Sequence, residues 1–175
     1  SEKQLIADLE TGNMEVQTLA INKIVYIYDS KRGEYSGSDE SQSHPIPSLD
    51  FMIKIQNVFH DIYYERIRIY RTDPNRKLME EMGRFCDACR KALCSILEFL
   101  NKVKEPEMLE PLMPTICACL GDIDRDVRQS ALDAISTIYN NFDFLIPDYI
   151  ELITRFIDGE QGRGLNCKWK AFKML

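Results

Sequence analysis

The sequence predicts an all-α fold, an α-solenoid of antiparallel helix pairs, and three observations point to it. Apolar residues recur at three- and four-residue steps along most of the chain. Gly, Pro, Asn and Asp cluster between those stretches, where helices end. A helix-pair pattern also repeats in the second half. With 175 residues, 45% of them hydrophobic and 29% charged, the chain can bury a sizeable core. It is expected to form one stretch of stacked helices over residues 1–175, with no strand of its own.

Leu5 and Leu9 mark a first helix, and Thr11-Gly12-Asn13 supplies a stop followed by an N-cap. Leu19, Ile24 and Ile27 are expected on the inward stripe of a second helix. Residues 30–48, rich in Ser, Gly and acidic side chains, have little to bury and predict a mobile loop. Phe51, Ile55, Val58, Ile62 and Ile69 keep helical steps. Ile67 to Tyr70 also alternates like a strand, but one isolated strand would lack a partner, so helix is preferred. Asp73-Pro74-Asn75 breaks the chain. Leu78, Met82, Phe85 and Cys89 form another stripe, followed by Leu93, Ile96, Leu97 and Leu100.

Leu109, Leu112, Ile116 and Leu120 predict one helix with Pro114 inside it, and Gly121-Asp122 turns the chain. Val127, Ala131, Ala134, Ile135 and Ile138 make the next helix, with small alanines where a neighbour must approach. After Leu145-Ile146-Pro147-Asp148 the plan recurs as Ile150, Ile153 and Ile157, a Gly-rich turn, then Cys167, Ala171 and Met174. Val127-Arg128-x-x-Ala131 matches Cys167-Lys168-x-x-Ala171 at an offset of 40 residues. A period of roughly 40 with paired helices is the mark of HEAT- and armadillo-like arrays, in which each pair needs its neighbours to cover its apolar face. Arg128 and Lys168 recur at one point in each unit beside turn carboxylates such as Asp124 and Asp126. They read either as a carboxylate–cation ladder between units or as a solvated face.

The net charge of −6 disfavours a duplex nucleic-acid binder, and no nucleic-acid partner is expected. A sequence pI of about 5.0 and a mean hydropathy of −0.29 argue against an integral membrane class. The first residues lack a secretory signal. The absence of an initiator Met, and an apolar pattern that reaches Met174-Leu175, predict a piece of a longer chain. The six cysteines lie within apolar helical stretches, which fits reduced thiols in a cytosolic chain better than a disulfide scaffold. Cys86-x-x-Cys89 lacks a second ligand pair for zinc, and His44 and His60 are the only histidines. Gly159-x-x-Gly162-x-Gly164 follows a helix and lacks the Gly-Lys-Ser/Thr ending of a phosphate loop. No catalytic residue, metal ligand or cofactor site is expected, and the chain is not expected to be an enzyme.

Met108-Leu109-Glu110-Pro111-Leu112-Met113-Pro114 with Ala118-Cys119-Leu120, then Cys86-Asp87-Ala88, Ala134-Ile135-x-x-Ile138-Tyr139-x-Asn141-Phe142 and Leu145-Ile146-Pro147-Asp148, resemble the N-terminal trunk of the coatomer beta-subunit family. The resemblance is dense from Met79 onward. It implies an adaptin-type solenoid in the COPI vesicle coat, on the cytosolic face of Golgi membranes and vesicles. Other coatomer subunits and the GTP-bound small GTPase Arf would be its partners, with peripheral membrane association. In related adaptor chains the GTPase docks on an early trunk helix, which corresponds to Met79–Arg90, so Gly83, Cys86 and Arg90 become candidate contacts. Gly83 departs from the apolar residue of the pattern. The family also has a turn after this helix, so a missing connection is expected between Lys91 and Ala92. The alternative is a HEAT scaffold of another kind, karyopherin-like or kinase-regulatory, that binds peptides or proteins.

Two basic stretches, Arg66 to Lys77 and Arg163 to Lys173, would suit an anionic membrane surface as an aid to recruitment; solvated faces are the plainer reading. Trp169 either faces a further repeat or covers the side of its own.

Overall fold

The computed structural model describes residues 2–34, 51, 54–55, 61–62, 65–66, 68–69, 72, 76–122, 124–160 and 165–175, without the side chains of 30–34, 76–79 and 165–166. Eight α-helices are bounded among them: α1 Glu2–Glu10, α2 Met14–Glu34, α3 Arg76–Leu100, α4 Pro106–Leu109, α5 Met113–Cys119, α6 Arg125–Asn141, α7 Tyr149–Gly159 and α8 Leu165–Met174. Short 3-10 turns occupy Glu110–Leu112 and Asp143–Leu145, and no strand occurs among the described residues. The fold is therefore all-α and of the α-solenoid type. Its contacts gather into two compact units, Ser1–Phe99 and Leu100–Leu175, where the sequence predicts one stretch.

In the first unit the chain reverses at Thr11-Gly12-Asn13. Gly12 sits at φ +73, the left-handed region that favours glycine. Thr11 Oγ1 donates to the Asp8 carbonyl at 2.8 Å, and Asn13 Oδ1 accepts from the Val16 amide at 3.1 Å, capping α2. Buried Gln17 donates to the Leu9 carbonyl at 2.8 Å and so ties α2 to α1. The inward face of α2 is Gln17, Ala20, Ile21, Ile24 and Tyr28, and this corrects the predicted stripe: Leu19 is 58% exposed and Ile27 only half-buried. Ile24 fixes the phase, and Leu19 lies one position off the helical register that Ala20, Ile24 and Tyr28 share. The helix also runs through Ser30–Glu34, so the expected loop does not begin at residue 30. Residues 35–48, Val58, the break at Asp73–Asn75 and the turn at 161–164 lie outside the described residues. Between 51 and 72 every described residue is helical, including Arg68 and Ile69 of the strand-like subsegment; Phe51 and Ile55 are buried.

The α3 helix buries Met82, Phe85, Cys89, Leu93, Ile96, Leu97 and Leu100 as their spacing predicts. It is continuous through Lys91 and Ala92, which corrects the expected connection there. Between Gly83 and the end of α3 no Gly or Pro interrupts the backbone, and Ala92 and Leu93 extend the buried stripe of Ala88 and Cys89.

In the second unit the predicted helix around Pro114 is instead three pieces: α4, a 3-10 turn and α5. Pro106, Pro111 and Pro114 each fall in the first turn of a piece, where a missing amide costs nothing. Asp124 caps α6, its carboxylate accepting from the amides of Asp126 at 2.9 Å and Val127 at 3.1 Å. Helices α6 and α8 begin 40 positions apart, at Arg125 and Leu165, as the repeat predicts. Val127, Ala131, Ala134 and Ile135 of α6, and Cys167 and Ala171 of α8, are buried. Small side chains on both helices let their backbones approach. In α7 the core residues are Tyr149, Ile153, Phe156 and Ile157; Ile150, predicted inward, is 60% exposed. Tyr149 stacks on Tyr139 with ring centroids 3.8 Å apart, and its hydroxyl donates to the Met174 carbonyl at 3.0 Å. One aromatic residue thereby joins α6, the start of α7 and the end of α8.

Tyr28 is 1% exposed, edge-on to Phe99 with centroids 5.2 Å apart, and its hydroxyl has no hydrogen-bond partner among the described residues. A buried unsatisfied hydroxyl costs about 1–3 kcal/mol. Tyr28→Phe keeps the ring and should therefore raise stability by about 1 kcal/mol in urea or thermal unfolding at neutral pH. Burial, and secondarily the charge of Glu2, raises the Tyr28 pKa above its ordinary value of 10.0. The folded chain therefore holds a proton that the unfolded chain releases, and stability must fall as pH rises past that ordinary value. Tyr28→Phe should show the smaller alkaline loss; a variant less stable than the parent would contradict the packing described.

Candidate functional site

Two features gather polar and charged chemistry: a buried ion pair between successive hairpins, and the solvent faces of α3, α7 and α8. Arg128, in the first turn of α6, is 3% exposed, and its Nη1 donates to the Asp122 carbonyl at 2.9 Å. Its Nε lies 2.6 Å from Glu160 Oε1, an ion-pair distance without hydrogen-bond alignment, and Nη2 donates to Oε2 at 3.4 Å. Glu160, at the C-cap of α7, is 2% exposed. A cation near a helix N-terminus and an anion near a C-terminus each oppose the helix macrodipole. Both are buried, and each offsets part of the other's desolvation cost.

A carboxylate–cation contact between successive repeats therefore exists at this rung, with Glu160 as a carboxylate that faces Arg128. Asp124 is engaged as the cap, and Asp126 lies 3.9 Å from Arg125. Lys168, the counterpart of Arg128, is half-buried; the second cation to cross is Lys170, which contacts Asp133 Oδ1. Cys167 Sγ also reaches back to the Arg125 carbonyl at 3.8 Å.

On α3 the candidates divide. Cys86 is buried, whereas Gly83 and Arg90 are partly exposed, and Arg90 Nη1 pairs with Asp87 Oδ1 at 2.8 Å. The solvent face of the helix is carried by Arg84, Asp87 and Lys91, which neighbour the predicted set. A Cβ added at Gly83 would meet nothing within 4 Å, so no close approach requires a glycine there. Arg66, on the helical segment before α3, donates to Gln17 Oε1 at 3.1 Å and lies 5.2 Å above the Phe85 ring. This cation of the predicted basic run is thereby part of the first unit's packing.

Burial raises the thiol pKa of Cys86, opposed by Arg90 and Arg66 and reinforced by Asp87. Burial likewise raises Cys117, with Asp148 adding to it, and Cys167, with Glu160 adding to it. Thiols held protonated in this way are poor nucleophiles and metal ligands at neutral pH. No group of three or more His, Cys, Asp or Glu side chains that could hold a metal occurs among the described residues. None of the described helices is long and apolar enough to cross a membrane. Trp169 is 62% exposed, edge-on to Phe172, so it does not cover its own repeat.

What these elements define, within each unit, is a protein of packed α-helices. Comparison with known proteins makes the class specific. No family model matches the chain. Coatomer subunit beta of Drosophila melanogaster is 38% identical over an alignment of 192 positions that covers all of this chain. The same subunit from Sus scrofa is 39% identical over 184 positions and that from Trypanosoma brucei brucei 30% over 189, each again covering the whole chain. The chain belongs to the coatomer beta-subunit family, and it spans 18% of the length of these curated relatives. The alignments are longer than the chain, so the relatives carry residues here that this chain lacks.

Gly83→Ala tests the reading of α3. With open space at the Cβ position, the substitution should stabilise the helix by roughly 0.5–1 kcal/mol through lower unfolded-chain entropy. A lower melting temperature would show that the glycine is packed against a neighbour.

Proposed function

We propose that this chain is an N-terminal trunk segment of a COPI coat subunit, a structural and non-catalytic part. It acts in coat assembly and in Arf-dependent recruitment for Golgi-to-ER and intra-Golgi transport. The observation that carries the reading is identity of 38% to a coatomer beta subunit along the whole chain. The fold supports it, since hairpins joined by buried seams leave long outer faces for other coat subunits.

The GTP-bound Arf GTPase is proposed to dock on the solvent face of α3, where Arg84 and Lys91 supply positive charge beside the Asp87–Arg90 pair. Gly83 and Arg90 border that face, and Cys86 supports it from within. In this reading the protein works on the cytosolic side of Golgi membranes and COPI vesicles, held there through its partners.

Retention on Arf-coated beads tests this. The chain should be held by GTP-loaded and not GDP-loaded Arf, and Arg84→Glu with Lys91→Glu should weaken retention by at least about fivefold. Equal retention in both nucleotide states, or a double variant that binds as well as the parent, would overturn the docking face.

A further inference from the structure

The first unit carries an open groove of about 530 Å³ between the outer face of α2 and the side of α1. Leu19 and Tyr26, 58% and 71% exposed, stand along one wall with Lys23 between them, at helical steps of four and three. Gln4, Leu5 and Asp8 of α1 form the other wall, and half-buried Ile27 completes the lining. This stripe of α2 points away from the one that packs Ala20, Ile24 and Tyr28 into the core. Large hydrophobic side chains gathered in solvent along a concave surface mark a binding face.

Shape and charge together select the occupant. Leu19 and Tyr26 lie seven positions apart, about 10.5 Å or two helical turns, which matches an apolar stripe on a helix laid alongside. A helix satisfies its own backbone. An extended segment would bring unpaired amides and carbonyls against apolar walls, with no strand edge among the described residues to receive them. Asp8 accepts from the Gln4 amide at 2.8 Å, while exposed Lys23 has no ion-pair partner among the described residues. A cation between two apolar anchors calls for a carboxylate, and one lysine beside Asp8 is too little charge to hold an anionic membrane or a nucleic acid. A second copy of this chain would fit poorly through its exposed aromatic helix, because α8 carries Lys168, Lys170 and Lys173 and no acid to meet Lys23.

We infer that this groove docks an amphipathic helix of a partner protein, one that sets a carboxylate over Lys23 and apolar side chains against Leu19 and Tyr26. The inference stands on the α1–α2 hairpin and not on the α3 docking face proposed above.

The probe is a fluorescein-labelled, alanine-rich helical peptide with two leucines spaced two turns apart and a glutamate between them on the same face. It is titrated by anisotropy into the whole chain. Controls are the same peptide with lysine for the glutamate, and one with alanines for the leucines. Saturable binding of the first alone is expected, weakening as salt rises. Lys23→Glu should weaken it at least about fivefold and admit the lysine peptide instead. Leu19→Ala with Tyr26→Ala should weaken it at least about tenfold. All three side chains are exposed, so melting temperatures should hold. Lys104→Glu, in the second unit, should leave binding unchanged.

No binding, equal binding of all three peptides, or equal losses from Lys104→Glu and the groove variants would overturn the inference. Self-association in sedimentation that Leu19→Ala with Tyr26→Ala abolishes would overturn it in favour of a second copy of this chain.

Discussion

The second unit depends on one buried ion pair. Arg128 and Glu160 are each about as inaccessible as the alanines around them, and each sits at the helix end where its charge is unfavourable. Desolvating either alone costs several kcal/mol. Together they cancel, and the guanidinium also holds the Asp122 carbonyl at the turn before its own helix. A hydrophobic seam is tolerant of small slides, because apolar contact is not directional. A guanidinium between a fixed carbonyl and a fixed carboxylate is not. The pair therefore sets the register between one hairpin and the next, while Ala131, Ala134 and Ala171 allow the close approach that the register requires.

Several titratable side chains are spent on packing: Asp124 on a cap, Arg66 on a ring and an amide, Arg128 on a neighbouring repeat, and the buried thiols held protonated. On the outside of the helices α3 presents Arg84 and Lys91 together with Glu80 and Asp87, and a groove beside α7 is lined by Asp143, Asp148 and Asp158. Kinship with coatomer beta subunits along the whole chain fits a protein whose working parts are such faces.

Much of the fold could be read from helical spacing. The stripes of α3 and α6 are buried as predicted, and the offset of 40 residues places the starts of α6 and α8. Errors arose where one apolar residue stood in for a face. Leu19 is one position from the register that Ala20, Ile24 and Tyr28 share, whereas Ile150 keeps helical steps to Ile153 and Ile157 and is exposed because it lies in the first turn of α7. Pro114, placed inside a helix by the apolar spacing, instead stands in the first turn of α5, because a proline interior to a helix removes an amide and clashes with the preceding turn. The site was harder. Helical periodicity contains no information about pairing over 32 positions, so Glu160 was invisible as the partner of Arg128 although Arg128 itself stood out. The groove beside α7 could not be read either, because its walls come from a linker and the helix after it, and no spacing rule joins them.

The most direct test of this account is a double-mutant cycle at Arg128 and Glu160, read by chemical denaturation of the whole chain. Arg128→Met removes the cation that faces the buried Glu160 carboxylate, and Glu160→Leu removes that carboxylate from the buried guanidinium, so each should cost about 3–5 kcal/mol. The double variant replaces both charges with apolar volume and should recover most of that loss. Single variants that cost little, or a double variant whose loss is the sum of the two, would show that the register of the hairpins does not rest on this pair.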